Sequence, residues 1–201
     1  MPVDFFVTPC ANALGNCQTE SVYCLQTITN NRFGISDANA NGRIPAKVML
    51  NDESSWDFTI ENNSSGVQYK AIDFCVDAFR TGSYNVYDDN SDINDFSSNS
   101  SNLNNQELIK RCEGMIKNPD FILFFEIKNR PKGDWLIDAR RKFEETILSF
   151  KEHHPHLAHL IIEPIVSNKS FLRVHQTEML QKRILKDKIG VALKVQTTFS
   201  I

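Results

Sequence analysis

Five consecutive apolar residues open the stretch Phe121-Ile122-Leu123-Phe124-Phe125-Glu126-Ile127-Lys128, and two ionisable ones stand near its end. A run this apolar belongs to a strand buried on both faces in the interior of a sheet. Alternation along the strand puts Glu126 and Lys128 on one side and turns Ile127 to the other. Ionisable groups on so apolar a strand are costly to bury unless they pair or bind something. Glu126 and Lys128 are therefore the first candidate site residues.

Downstream, Asn129-Arg-Pro-Lys-Gly133 breaks the strand, and Asp134 is placed to cap a helix. Residues 134–152 carry Leu136, Ala139, Phe143, Ile147 and Phe150 along one side, with Arg140, Arg141, Lys142, Glu144 and Glu145 elsewhere, which predicts an amphipathic helix. A histidine-rich break at 153–156 leads into an apolar strand over Leu157–Val166. A second helix follows near 171–188, capped by Ser170 and basic at its end, and a last strand spans Val191–Phe199. The order strand, helix, strand, helix, strand gives an α/β (mixed α+β) fold with helices packed on a sheet.

Upstream, Leu108, Ile109, Cys112 and Ile116 recur at helical spacing, so Gln106–Ile116 is predicted as a short helix, and Asn118-Pro-Asp120 as a turn. Seventeen of the 24 residues over 83–106 are Ser, Asn or Asp, a surface insertion without means to bury apolar area. Its run Asp88-Asp-Asn-Ser-Asp92 lacks the Gly and Glu that a calcium loop requires at its sixth and twelfth positions. Strands are expected over Ile44–Leu50, Trp56–Glu61 and Val67–Phe79, forming a hairpin or small meander, while 19–29 suits a short helix or a strand. On the strand 67–79, Asp73, Cys75 and Asp77 would share one face. Were it a neighbour of 121–128, Asp73 and Glu126 would converge beside Lys128.

Two carboxylates and an ammonium so placed suit the binding of a hard cation through oxygen. Such an ion lowers the pKa of a bound water and neutralises charge developing on a phosphate, and a buried lysine can orient the attacking water. Asp73, then Glu126-x-Lys128 on an apolar strand, then an amphipathic helix, resembles the PD-(D/E)XK nuclease superfamily with its restriction-endonuclease-like fold. The resemblance covers roughly residues 68–150. It implies a central mixed sheet flanked by helices, with Asp73 and Glu126 holding Mg²⁺ (or Mn²⁺), the Ile127 carbonyl as a further ligand, and Lys128 serving the nucleophilic water. Lys142 or Arg141 would supply the polar residue that the superfamily often carries on the following helix, and Glu20 the Glu of an earlier helix. Glu113, 13 residues before Glu126, and Asp77 compete with Asp73 for the first acidic place. Asp73 lies 53 residues before Glu126, which requires the Asn/Ser-rich insertion to loop out.

The organisation expected is a single domain over 1–201, with an N-terminal β-rich extension over 1–66 and a nuclease-like core over 67–201. The function implied is metal-dependent phosphodiester hydrolysis of nucleic acid, DNA in the first instance, in bacterial defence or DNA processing. The alternative is a non-catalytic protein of the same fold acting as a protein-binding module, an immunity or regulatory subunit. A plain cross-strand ion pair is the further reading of Glu126 and Lys128.

Composition sets the frame. At 201 residues, 41% hydrophobic and 23% charged, the chain is neither fibrous nor wholly disordered and can bury a core without staples. The net charge of −3 hides an asymmetry: residues 1–125 hold 8 Lys+Arg against 16 Asp+Glu, and residues 126–201 hold 14 against 9. The basic surplus thus begins with the motif strand, which permits a phosphate-binding cleft despite the acidic total. Five cysteines without a Cys-x-x-Cys pair suit a reduced, cytoplasmic protein, and the spacing of Cys10, Cys17 and Cys24 suits a buried stripe better than zinc. The histidines at 153, 154, 156 and 159 read as a solvated helix end, because Pro155 prevents a preformed metal site. No signal sequence or membrane span is recognised, and a homodimer is among the assemblies this reading permits.

Overall fold

The structure, a computed structural model, describes residues 4–6, 24–37, 45–73, 75–76, 109–130, 134–170 and 176–201. In chain order its elements are β1 (Leu25–Ile28), β2 (Arg32–Ser36), β3 (Lys47–Met49), β4 (Phe58–Glu61), β5 (Val67–Ala71), β6 (Gly114–Lys117), β7 (Phe121–Ile127), α1 (Trp135–His153), β8 (Ile161–Ser167), α2 (Gln176–Ile189), β9 (Lys194–Val195) and β10 (Thr198–Ser200). They make two sheets, a six-stranded one ordered β1-β5-β6-β7-β8-β9 and a four-stranded one ordered β10-β4-β2-β3. The fold is mixed α+β. No helix among the described residues is long and apolar enough to cross a membrane.

The apolar run at 121–127 lies inside the large sheet as β7, antiparallel to β6 and parallel to β8. Its alternation divides two cores. Ile122 and Phe124 pack with Leu136, Ala139, Phe143, Ile147 and Phe150 of α1 and with Leu185 and Ile189 of α2. Leu123, Phe125 and Ile127 pack with Phe33, Ile35, Phe58 and Ile60 of the small sheet. The described helices therefore cover one face of the large sheet and the small sheet covers the other, where the expected architecture had helices flanking it. The apolar residues of α1 are the predicted ones. Asp134 precedes the helix but its side chain caps nothing; its carbonyl accepts the Asp138 N–H at 3.0 Å. Lys151 of α1 donates to the terminal Ile189 carbonyl of α2 at 2.9 Å, a favourable place for a cation.

Four expectations change. Residues 109–117 are not helical: 109–113 are irregular and 114–117 form β6. The turn after it is as expected, with the Asn118 carboxamide oxygen accepting the N–H groups of Asp120 and Phe121, both at 2.8 Å. The strand predicted at 67–79 ends at Ala71, because the Ile72 carbonyl accepts the N–H groups of Cys75 and Val76 in a turn. Asp73 and Cys75 thus do not continue a strand face, and β5 is not β7's neighbour, since β6 lies between them.

The meander expected over 44–79 is also rearranged: β2 sits between β3 and β4, and β5 belongs to the other sheet. Gly34 permits this, because a Cβ there would lie 1.9 Å from Cγ of the Trp56 indole that packs across β2. The last predicted strand is two. After β9 pairs with β8, the Thr197 carbonyl accepts the Thr59 N–H, and the chain crosses to run parallel to β4 as β10. The insertion at 83–106 lies outside the described residues.

Candidate functional site

Glu126 follows the inward alternation of Ile122 and Phe124 and so points at α1 from the end of an apolar strand. Its side chain is wholly buried. A lone carboxylate there would be prohibitively desolvated, and two ammonium groups answer it. Lys128, two residues on along the same side, places Nζ 2.8 Å from Oε1. Lys142 of α1 places its Nζ 2.7 Å from the same oxygen. A polar stripe on α1, Asp138, Lys142 and Thr146 at four-residue spacing, runs beside the apolar stripe and supplies this contact. Asp138 closes the group, its Oδ2 lying 2.8 Å from Lys128 Nζ.

Glu113 enters from the residue just before the neighbouring strand β6. Gly114 faces Phe125 across the β6–β7 ladder, which sets Glu113 beside Glu126. The Glu113 N–H donates to Glu126 Oε2 at 3.1 Å, and its own Oε1 lies 4.0 Å from Lys142 Nζ. The absence of a Cβ at Gly114 allows the approach, since one would stand 2.6 Å from the Phe125 ring and 2.8 Å from the Lys70 carbonyl. The preceding segment is stitched to α1: Thr146 Oγ1 accepts the Cys112 N–H at 3.0 Å and Glu145 accepts that of Lys110 at 2.7 Å.

Electrostatics follow from this packing. Burial, then the Glu126 charge, pushes the Glu113 carboxyl well above the ordinary range, with Lys142 opposing. Burial alone would lower Lys142 and Lys128; for Lys142 the charges of Glu126, Glu113 and Asp73 outweigh it, and for Lys128 those of Glu126 and Asp138 do, so both are raised. Asp138 is lowered: burial works against ionisation there, and Lys128 overcomes it.

Asp73 stands beside this group. Its N–H and that of Ile72 both donate to the Glu113 carbonyl, its charge acts on Glu113 and Lys142, and its Oδ1 lies 3.6 Å from Arg111 Nε. Glu113 shares Lys142 with Glu126, at 4.0 Å and 2.7 Å, and Asp138 shares Lys128 with it, both at 2.8 Å. Arg141 is half-buried, and the Ile127 side chain fills the second core. Glu20 and Asp77 lie outside the described residues. Asp138 is the addition to the predicted set; its signal was its helical phase, one turn before Lys142.

The histidines take structural places. His154 is buried, and its Nε2 accepts the Phe5 N–H at 3.1 Å, while His153 Nδ1 lies 2.8 Å from the Ser149 carbonyl. Cys24, Cys75 and Cys112 are buried thiols outside any disulfide, with Cys75 Sγ 3.4 Å from Cys24 Sγ. Among the described residues no group of three or more His, Cys, Asp and Glu side chains is arranged to hold a metal ion. The carboxylates of Glu113 and Glu126, which share Lys142, are nonetheless of the donor type that Mg²⁺ and Mn²⁺ prefer. No protein-family model, curated protein or solved structure matches the chain.

Proposed function

We propose that this chain hydrolyses phosphodiester bonds of nucleic acid, in the manner of the PD-(D/E)XK nucleases, with a site made of Glu113, Glu126, Lys128 and Lys142. The observation that carries the reading is the buried Glu126 at the end of a central strand, with a second carboxylate across the ladder and Lys128 two residues on. Glu113 takes the first acidic place, and Asp73, held against Arg111, supports its backbone.

Glu113 and Glu126 would hold Mg²⁺ or Mn²⁺, with the Ile127 carbonyl as a further donor. The bound ion would supply Lewis acidity at a phosphate oxygen and a more acidic water. Lys128 would orient the nucleophilic water, and Lys142 would hold the Glu126 carboxylate in place and face charge that develops on the phosphate. DNA is the substrate favoured. Arg130 and Lys169 are exposed on the loops that follow the parallel strands β7 and β8, at the sheet end where the site lies. Asn168 ties those loops by donating to the Arg130 carbonyl at 2.8 Å. A reduced cytoplasmic setting suits the buried thiols, none of them in a disulfide among the described residues.

One observation favours the second reading, a non-catalytic protein-binding module of the same fold. Two lysines on one carboxylate oxygen already satisfy the Glu126 charge. Incubation of the purified chain with single- and double-stranded DNA and RNA, with Mg²⁺ or Mn²⁺, separates the two. Cleavage that disappears in Glu126→Ala and Lys128→Ala supports hydrolysis; no cleavage of any substrate, or cleavage that survives both substitutions, contradicts it.

A further inference from the structure

Asp138 belongs to the site's charge network, yet neither the strand motif nor the resemblance names it. It stands on α1 one turn before Lys142, with 43% of its side chain exposed, and its Oδ2 is as near to Lys128 Nζ, at 2.8 Å, as the buried Glu126 Oε1 is. Lys128 thus bridges an inner carboxylate and an outer one. Lys142 crowds the same Glu126 oxygen at 2.7 Å, so two like charges meet there and repel. A cation that takes up this oxygen of Glu126 displaces one of the two ammonium groups from it. Lys142 has its other acid, Glu113, inside the site, while Lys128 has Asp138 on the outside.

We propose that Asp138 is a positioning residue that receives Lys128 when a divalent cation takes up Glu126, so that Lys128 is the ammonium that yields and is kept at hand beside the ion. This rests on the reading that Glu126 binds a divalent cation. Lacking Asp138, Lys128 has Glu126 alone and competes harder with the ion.

The test is Mn²⁺ binding to the full chain by titration calorimetry, for wild type, Asp138→Asn, Lys128→Ala and the double variant, with folding checked by thermal unfolding. Asp138→Asn keeps the side-chain shape, and Asp138→Glu serves as the rescue. The expected result is Mn²⁺ affinity about five-fold weaker in Asp138→Asn and restored in Asp138→Glu. Lys128→Ala should bind at least as tightly as wild type, and adding Asp138→Asn to it should change affinity by less than about two-fold. Equal weakening in both backgrounds would mean that Asp138 acts only through its charge on the ion, and overturns the proposal while leaving the cation site standing. No Mn²⁺ binding by wild type overturns the cation site and this proposal together.

Discussion

Glu113 donates its backbone N–H to the carboxylate of Glu126 across the β6–β7 ladder at 3.1 Å, and Lys142 of α1 reaches both acids. Two acids forced together in a dry place are tolerable only while cations accompany them. The neighbouring lysines fill that role.

Removing Glu126 takes from two part-buried ammonium groups their shared partner, leaving Lys128 to Asp138 and Lys142 to the more distant Glu113. Glu126→Ala is expected to destabilise the chain by about 3–5 kcal/mol. Lys142→Met, which leaves Lys128 on Glu126, is expected to cost less, about 1–3 kcal/mol. Urea unfolding midpoints measure both. A Glu126→Ala protein as stable as wild type would mean that the pairs contribute nothing to the fold.

Two glycines carry strict steric duties. Gly34→Ala drives a Cβ into the Trp56 indole and is expected to cost about 3 kcal/mol by overpacking. It should also shift the fluorescence of Trp56, separable from that of Trp135 by a Trp135→Phe background. Gly114→Ala meets the Phe125 ring and the Lys70 carbonyl, so β6 must move and carry Glu113 with it. Its expected cost is about 1–3 kcal/mol, with loss of cation-dependent cleavage in excess of that loss of fold.

These two glycines also mark where sequence reasoning stopped. The strand at 121–127 and the helix beginning at Trp135 were legible because their apolar periods are unambiguous, and with them came Glu126, Lys128 and Lys142. β6 was not, because Leu108, Ile109, Cys112 and Ile116 mimic a helical period, and a four-residue strand that opens on Gly114 offers too short an alternation to compete. Without β6 in view, the sequence sets the strand of Asp73 directly beside β7, whereas β6 lies between them and brings Glu113 next to Glu126. β2 escaped notice because Gly34 interrupts its apolar face, and with it went the small sheet. The division of the last strand between two sheets has no local signature at Gln196 and Thr197.

His154 gives the fold a pH dependence of stated sign. Its Nε2 accepts the Phe5 N–H and its ring packs on Phe150, with centroids 4.9 Å apart. Burial lowers its pKa, Asp4 opposes, and His156 and His153 add to the lowering. Protonation therefore favours the unfolded chain. The stabilisation is complete above the unfolded value of about 6.5 and is lost as pH falls from there through the lowered folded value. Thermal unfolding between pH 7.5 and 5 should show this loss, and His154→Asn should flatten it.

Arg130 and Lys169 are expected to contact phosphates on either side of the site. Each change to Ala should reduce the slope of log affinity against log salt by about one for duplex DNA, with no change in sequence preference. Fluorescence anisotropy at several salt concentrations measures it, and unchanged slopes would place the nucleic acid elsewhere.

The most direct measurement is the anomalous difference density of a crystal soaked in Mn²⁺. A peak is expected at about 2.1–2.2 Å from a carboxylate oxygen of Glu113 and one of Glu126, with Lys128 drawn to Asp138. A fully soaked crystal with no peak there, and with Lys128 and Lys142 still on Glu126 Oε1, would contradict the cation site.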